Sequence, residues 1–146
     1  MKDFKLGNTN YKIITSIGEF PNSRKTLLSQ YQRQVFEKIE NDIFETYFNR
    51  VIQKFNTANW MGGVEELYNY RTAIRLKKLN FDAFDMMFSL ICLEEGEDKF
   101  SVDEDFLAKK IERMNKEGLT TQEAYDNVVF FCKSSPAIFQ DFLNLI

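Results

Sequence analysis

The sequence predicts a mainly α-helical fold, a bundle of six to seven helices with a short N-terminal β-hairpin. Three observations carry this reading. From residue 27 onward, apolar residues recur at three- and four-residue spacing, the period of a helix. The first fifteen residues instead alternate apolar and polar around a turn segment. Between the periodic runs stand residues that start and stop helices. At 146 residues the chain has the length of one domain. It is expected to span 1–146, with a hairpin arm at 1–15 and a helical body at 24–146.

The hairpin follows from Phe4 and Leu6 alternating with Lys5, and Tyr11 and Ile13 alternating with Lys12, with Gly7-Asn8-Thr9-Asn10 between them. Two strands alone are marginal in water. The hairpin must therefore dock on the helices, pair with a further strand, or be completed by a partner. Residues 16–23 hold Gly18 and Pro21 and read as a loop.

Leu27, Leu28, Tyr31, Val35 and Ile39 mark the first helix, with Ser23 placed to cap it. A break at 40–42 leads to a second helix, with Asp42 and Glu45 as a capping pair and Ile43, Phe44, Tyr47, Phe48, Val51, Ile52 and Phe55 as a broad stripe. Residues 57–63 read as a linker, although Trp60-Met61 could already belong to the next helix. That helix carries Val64, Leu67, Tyr68, Ile74 and Leu76 and ends basic, with Arg71, Arg75, Lys77 and Lys78.

Asn80 is placed to cap a helix over 81–93 that is apolar on nearly every side, the candidate central element. An acidic loop follows at 94–99. Ser101 and Glu104 suggest a capping box for the next helix, with Gly118 as its stop. Thr120 and Glu123 repeat the box, and Ser135-Pro136 opens a last helix over 138–146.

Composition narrows the function. Histidine is absent, which removes the usual proton shuttle and the commonest transition-metal ligand. Cys92 and Cys132 lie in apolar contexts and read as buried free thiols. Gly62-Gly63 lacks phosphate-loop spacing, and no nucleophile stands with a base. The acidic run Glu94, Glu95, Glu97, Asp98 does not follow the alternating oxygen pattern of a calcium loop and reads as surface charge. No enzymatic activity, catalytic residue, cofactor or metal is expected. The opening residues lack the apolar stretch of a signal peptide, and no apolar run approaches the length needed to cross a bilayer. With pI near 5.1, nucleic acid is an unfavoured partner.

Interaction with protein is the remaining theme. Fifteen Phe, six Tyr and one Trp exceed what a bundle of this size requires, and aromatic anchors dominate protein interfaces. Charge divides unevenly: residues 1–80 hold thirteen bases and eight acids, +5, and residues 81–146 hold six bases and fourteen acids, −8. Clusters at opposite poles would favour head-to-tail contacts in a ring, whereas sequence halves that interleave in space would cancel the dipole. The interface candidates are therefore the hairpin (Phe4, Leu6, Tyr11, Ile13), the basic run (Arg71, Arg75, Lys77, Lys78), the acidic run (Glu94, Glu95, Glu97, Asp98) and the C-terminal Phe139 and Phe142.

The layout resembles small accessory proteins encoded among the structural genes of tailed bacteriophages. The matching pieces are Phe4-Lys5-Leu6-Gly7 with Tyr11-Lys12-Ile13, Glu66-Leu67-Tyr68-Asn69-Tyr70-Arg71, Glu94-Glu95-Gly96-Glu97 and Gly118-Leu119-Thr120. The resemblance implies a virion structural or tail/head–tail assembly role, with self-copies or other virion proteins as partners. It also implies residence in the host cytoplasm during assembly and then in the virion. It assigns no site residues. A small phage-encoded inhibitor or adaptor of a host protein, and an ordinary cellular helical adaptor, are the alternatives.

Overall fold

The structure is a computed structural model and describes residues 1–39, 45–77 and 82–145; the side chains of residues 38, 39, 45, 74–77, 82 and 145 are not described. The expected break at 40–42, the Asp42–Glu45 pair, Ile43, Phe44, Lys78, the Asn80 cap and Phe81 lie outside the described residues, as do the side chains of Arg75 and Lys77.

The expected architecture is found: seven helices among the described residues, with a small antiparallel sheet at the N-terminus. Strand β1 (Lys2–Leu6) turns through Gly7-Asn8 into β2 (Thr9–Ile13), with Leu6 opposite Thr9 and Lys2 opposite Ile13. Gly7 takes φ +57°, the left-handed conformation that glycine adopts without a Cβ penalty. A 3-10 turn, Ile17–Glu19, leads to α1 (Asn22–Ile39). Then come α2 (Glu45–Asn56), α3 (Trp60–Lys77), α4 (Asp82–Ile91), β3 (Cys92–Glu94), α5 (Glu104–Lys116), α6 (Thr121–Lys133) and α7 (Pro136–Leu145).

Helix α4 is the central element, as its apolar circumference predicts. Phe84, Met87, Phe88, Leu90 and Ile91 are fully buried, and the helix packs against α1, α5 and α6. It stops earlier than expected. Cys92–Glu94 leaves the helix and pairs antiparallel with β2, setting Ile13 opposite Cys92 and Tyr11 opposite Glu94. The sheet order is β1-β2-β3, so the hairpin is completed by this chain's own strand. The Ile14 amide donates to the Ile91 carbonyl at 2.8 Å, tying the end of β2 to the end of α4.

Several helix ends follow local rules. Thr120 and Glu123 form the reciprocal capping box at α6. Gly118, at φ +105°, closes α5: its amide reaches the Asn115 carbonyl and the Leu119 amide reaches that of Met114. Two expected caps are corrected. Asp103, not Ser101, caps α5, accepting from the Asp105 and Phe106 amides, while Glu104 accepts from the Tyr31 hydroxyl. Ser23 lies inside α1, and its hydroxyl donates to the Phe100 carbonyl.

Candidate functional site

The structure draws the six apolar and aromatic interface candidates inward. Leu6, Tyr11 and Ile13 belong to the main core, and half-buried Phe4 packs edge-on against Phe88 at 5.9 Å. Phe139 and Phe142 are also buried, against Phe131 and Phe84 respectively. These six side chains are aromatic or aliphatic at a strand or helical period, and the fold itself uses them.

The acidic run is divided. Glu97 is a buried staple rather than surface charge: its carboxylate accepts from Arg24 at 2.8 Å, from Lys110 at 2.7 Å and from the Glu94 amide at 2.9 Å. Arg24 and Lys110 are themselves fully buried. A carboxylate between two cations leaves a surplus positive charge, which backbone carbonyls offset. Arg24 also donates to the carbonyls of Lys99, Leu90 and Asp98, and Lys110 to that of Cys92. The Leu90 carbonyl belongs to the last turn of α4, where the helix dipole favours a cation. Burial lowers the Lys110 pKa, and Glu97 opposes that shift. Glu94 pairs with Arg113, and the Asp98 carboxylate accepts from the Phe100 amide. Glu95 and Asp98 remain exposed. Among the described residues no group of three His, Cys, Asp or Glu side chains is placed to hold a metal ion.

Burial pushes both thiols, Cys92 and Cys132, up to about 12, so neither is poised as a nucleophile at neutral pH.

A further feature turned to solvent is one that the sequence did not single out. Helices α2 and α3 pack chiefly on each other and form an antiparallel hairpin. Its base rests on the core through Tyr47, Tyr70 and Ala73. The turn between the helices is tightly specified. The Ala58 amide bonds to the Phe55 carbonyl and the Asn59 amide to that of Lys54, a six-to-one helix stop with Ala58 at φ +58°. Asn59 then caps α3, its Oδ1 accepting from the Gly62 amide at 2.9 Å. Trp60 and Met61 are thus helical, not linker. Gly63 is buried, and the Phe55 ring of α2 fills the space beside it and meets Trp60 in a tilted contact at 5.5 Å.

Helix α3 is apolar on two sides. Gly63, Tyr70 and Ala73 turn toward α2 and the core, while Trp60, Met61, Val64, Leu67 and Tyr68 turn outward. Their spacing of three and four residues lines them along one face. Trp60, Met61 and Tyr68 are 65%, 85% and 71% exposed, and Phe48 and Ile52 of α2 are exposed as well. Arg71, the one member of the basic run with a described side chain, is exposed one turn beyond Leu67. Large aromatic and aliphatic side chains gathered on one solvent face make this flank the candidate site. The sequence signal was the aromatic surplus together with a helix carrying apolar residues at two angular positions.

No helix among the described residues is long and apolar enough to cross a membrane. Comparison with protein-family models, with curated proteins and with solved structures gave no match.

Proposed function

We propose that the chain is a non-enzymatic protein–protein interaction subunit whose docking element is the outer face of the α2–α3 hairpin. The exposed row Trp60, Met61, Val64, Leu67 and Tyr68 is the observation that carries this reading. The described ionisable groups with an evident internal task support it: Arg24, Glu97 and Lys110 bind one another and the backbone. In keeping with the resemblance to accessory proteins of tailed bacteriophages, the role we assign this docking is in virion structure or tail/head–tail assembly, where a small subunit works through contacts alone.

The test is photo-crosslinking in the infected host. A benzoylphenylalanine is placed at position 61 or 68, with Lys109, exposed on α5, as the control position. Adducts from 61 and 68 with the chain itself or with one virion protein, and none from 109, are expected. Adducts confined to a host enzyme would replace the assembly role with that of an inhibitor or adaptor. Equal yields from all three positions would overturn the docking face.

A further inference from the structure

The order of residues along the exposed face of α3 describes what fits it. Met61, Val64, Tyr68 and Arg71 stand at intervals of three, four and three, the spacing of a coiled-coil seam. That set reads the same from either end. An axis crossing α3 level with Glu66 places Val64 opposite Tyr68, and Met61 opposite Arg71, when the helix meets a copy of itself running the other way.

Charge selects the same direction. Glu65 precedes the midpoint of the seam and Arg71 follows it. A parallel pair would stack like charge on like. An antiparallel pair brings exposed Glu65 within one turn of the second copy's Arg71, twice by symmetry. The stem of Arg71 is long enough to cover Met61 while its guanidinium stays in water.

Area fits a small interface. With about 150–250 Å² for a whole aromatic side chain, Trp60 and Tyr68 at 65% and 71% exposure offer about 200–340 Å² between them. Met61, Val64 and Leu67, also exposed, bring the face toward the roughly 600 Å² per partner at the low end of specific interfaces.

We propose that the α2–α3 hairpin joins two copies of this chain about a two-fold axis, with the α3 helices antiparallel. This rests on the docking reading above and names its occupant. The contact is isologous and closes on itself, unlike a head-to-tail ring contact.

Sedimentation velocity across a concentration series tests it on the wild type, Glu65→Arg, Arg71→Glu and the double reversal. All these substitutions fall at exposed positions, and circular dichroism checks that each variant is folded. The wild type is expected to pass from monomer to dimer. Each single reversal turns two attractive pairs repulsive and should weaken the dimer about fivefold to thirtyfold, and the double reversal should restore it. Equal weakening in all three variants would overturn the antiparallel register. A wild type that stays monomeric at every soluble concentration would overturn the second copy as occupant. If position 68 of that monomer still crosslinks to a different protein, the docking face stands; if it crosslinks to nothing, both fall.

Discussion

The ring of Phe55 occupies the space where a side chain at Gly63 would stand: a Cβ on residue 63 would lie 2.7 Å from the ring. Helix α3 therefore carries a glycine in its first turn because the Phe55 ring of α2 packs there. Alanine at position 63 gains about 1 kcal/mol of helix propensity. It also forces Phe55 off Trp60, an overpacking cost of about 1–3 kcal/mol. We expect Gly63→Ala to lose stability by about 1 kcal/mol in urea unfolding. A more stable variant would show that the ring moves aside freely.

Ala58 closes α2 in the left-handed conformation that glycine adopts more readily. Ala58→Gly should stabilise the protein by about 0.5–1 kcal/mol, since the relieved strain exceeds the added freedom of the unfolded chain. The urea midpoint should rise with an unchanged slope. A fall in midpoint would mean that the six-to-one stop does not persist in solution.

Glu97 binds two buried cations from α1 and α5. Removing one partner of a buried ionic group costs about 3–5 kcal/mol, because the remaining charge is left uncompensated. Glu97→Ala should lower stability by that amount, whereas Glu95→Ala, on the exposed neighbour, should change it by less than about 0.5 kcal/mol. Similar effects from the two substitutions would contradict the buried staple.

Much of the fold was legible because it obeys local rules. The hairpin alternates, Thr120 and Glu123 sit three apart, and Gly118 follows the last apolar residue of its helix. What was not legible depends on distant partners. Cys92–Glu94 continues an apolar helical run and becomes a strand because β2 lies beside it, a tertiary choice that overrides local preference. Glu97 looks like its acidic neighbours, and only the approach of Arg24 and Lys110 separates it from them. The outer face of α3 was hidden for a different reason. Helical periodicity gives the spacing of apolar residues but not whether they meet the chain's own core or another protein. Phe139 and Phe142 met the core, and Tyr68 met solvent.

The Cys132 thiol is raised by burial to about 12 from an ordinary value of 9.0. Above pH 9 the unfolded chain loses this proton and the folded chain keeps it. The corresponding stability is therefore full below pH 9 and declines as pH rises toward 12, by up to about 1.4 kcal/mol per pH unit. Urea unfolding from about pH 8 to about pH 10 should show a shallower decline for Cys132→Ala than for the wild type. Any constant loss from the missing sulfur cancels in that comparison of slopes. Parallel slopes would show that the thiol is not buried in the folded state.

The most direct test of the docking face uses the protein's single tryptophan, Trp60, which lies on it. Acrylamide quenching of its fluorescence is to be measured in the dilute protein and again in the assembled complex. Exposed in the free chain and covered in the complex, Trp60 should be readily quenched in the first state and protected in the second, with its emission shifted to the blue. A complex in which Trp60 is quenched as readily as in the free chain would place the contact elsewhere and contradict the docking role of α2–α3.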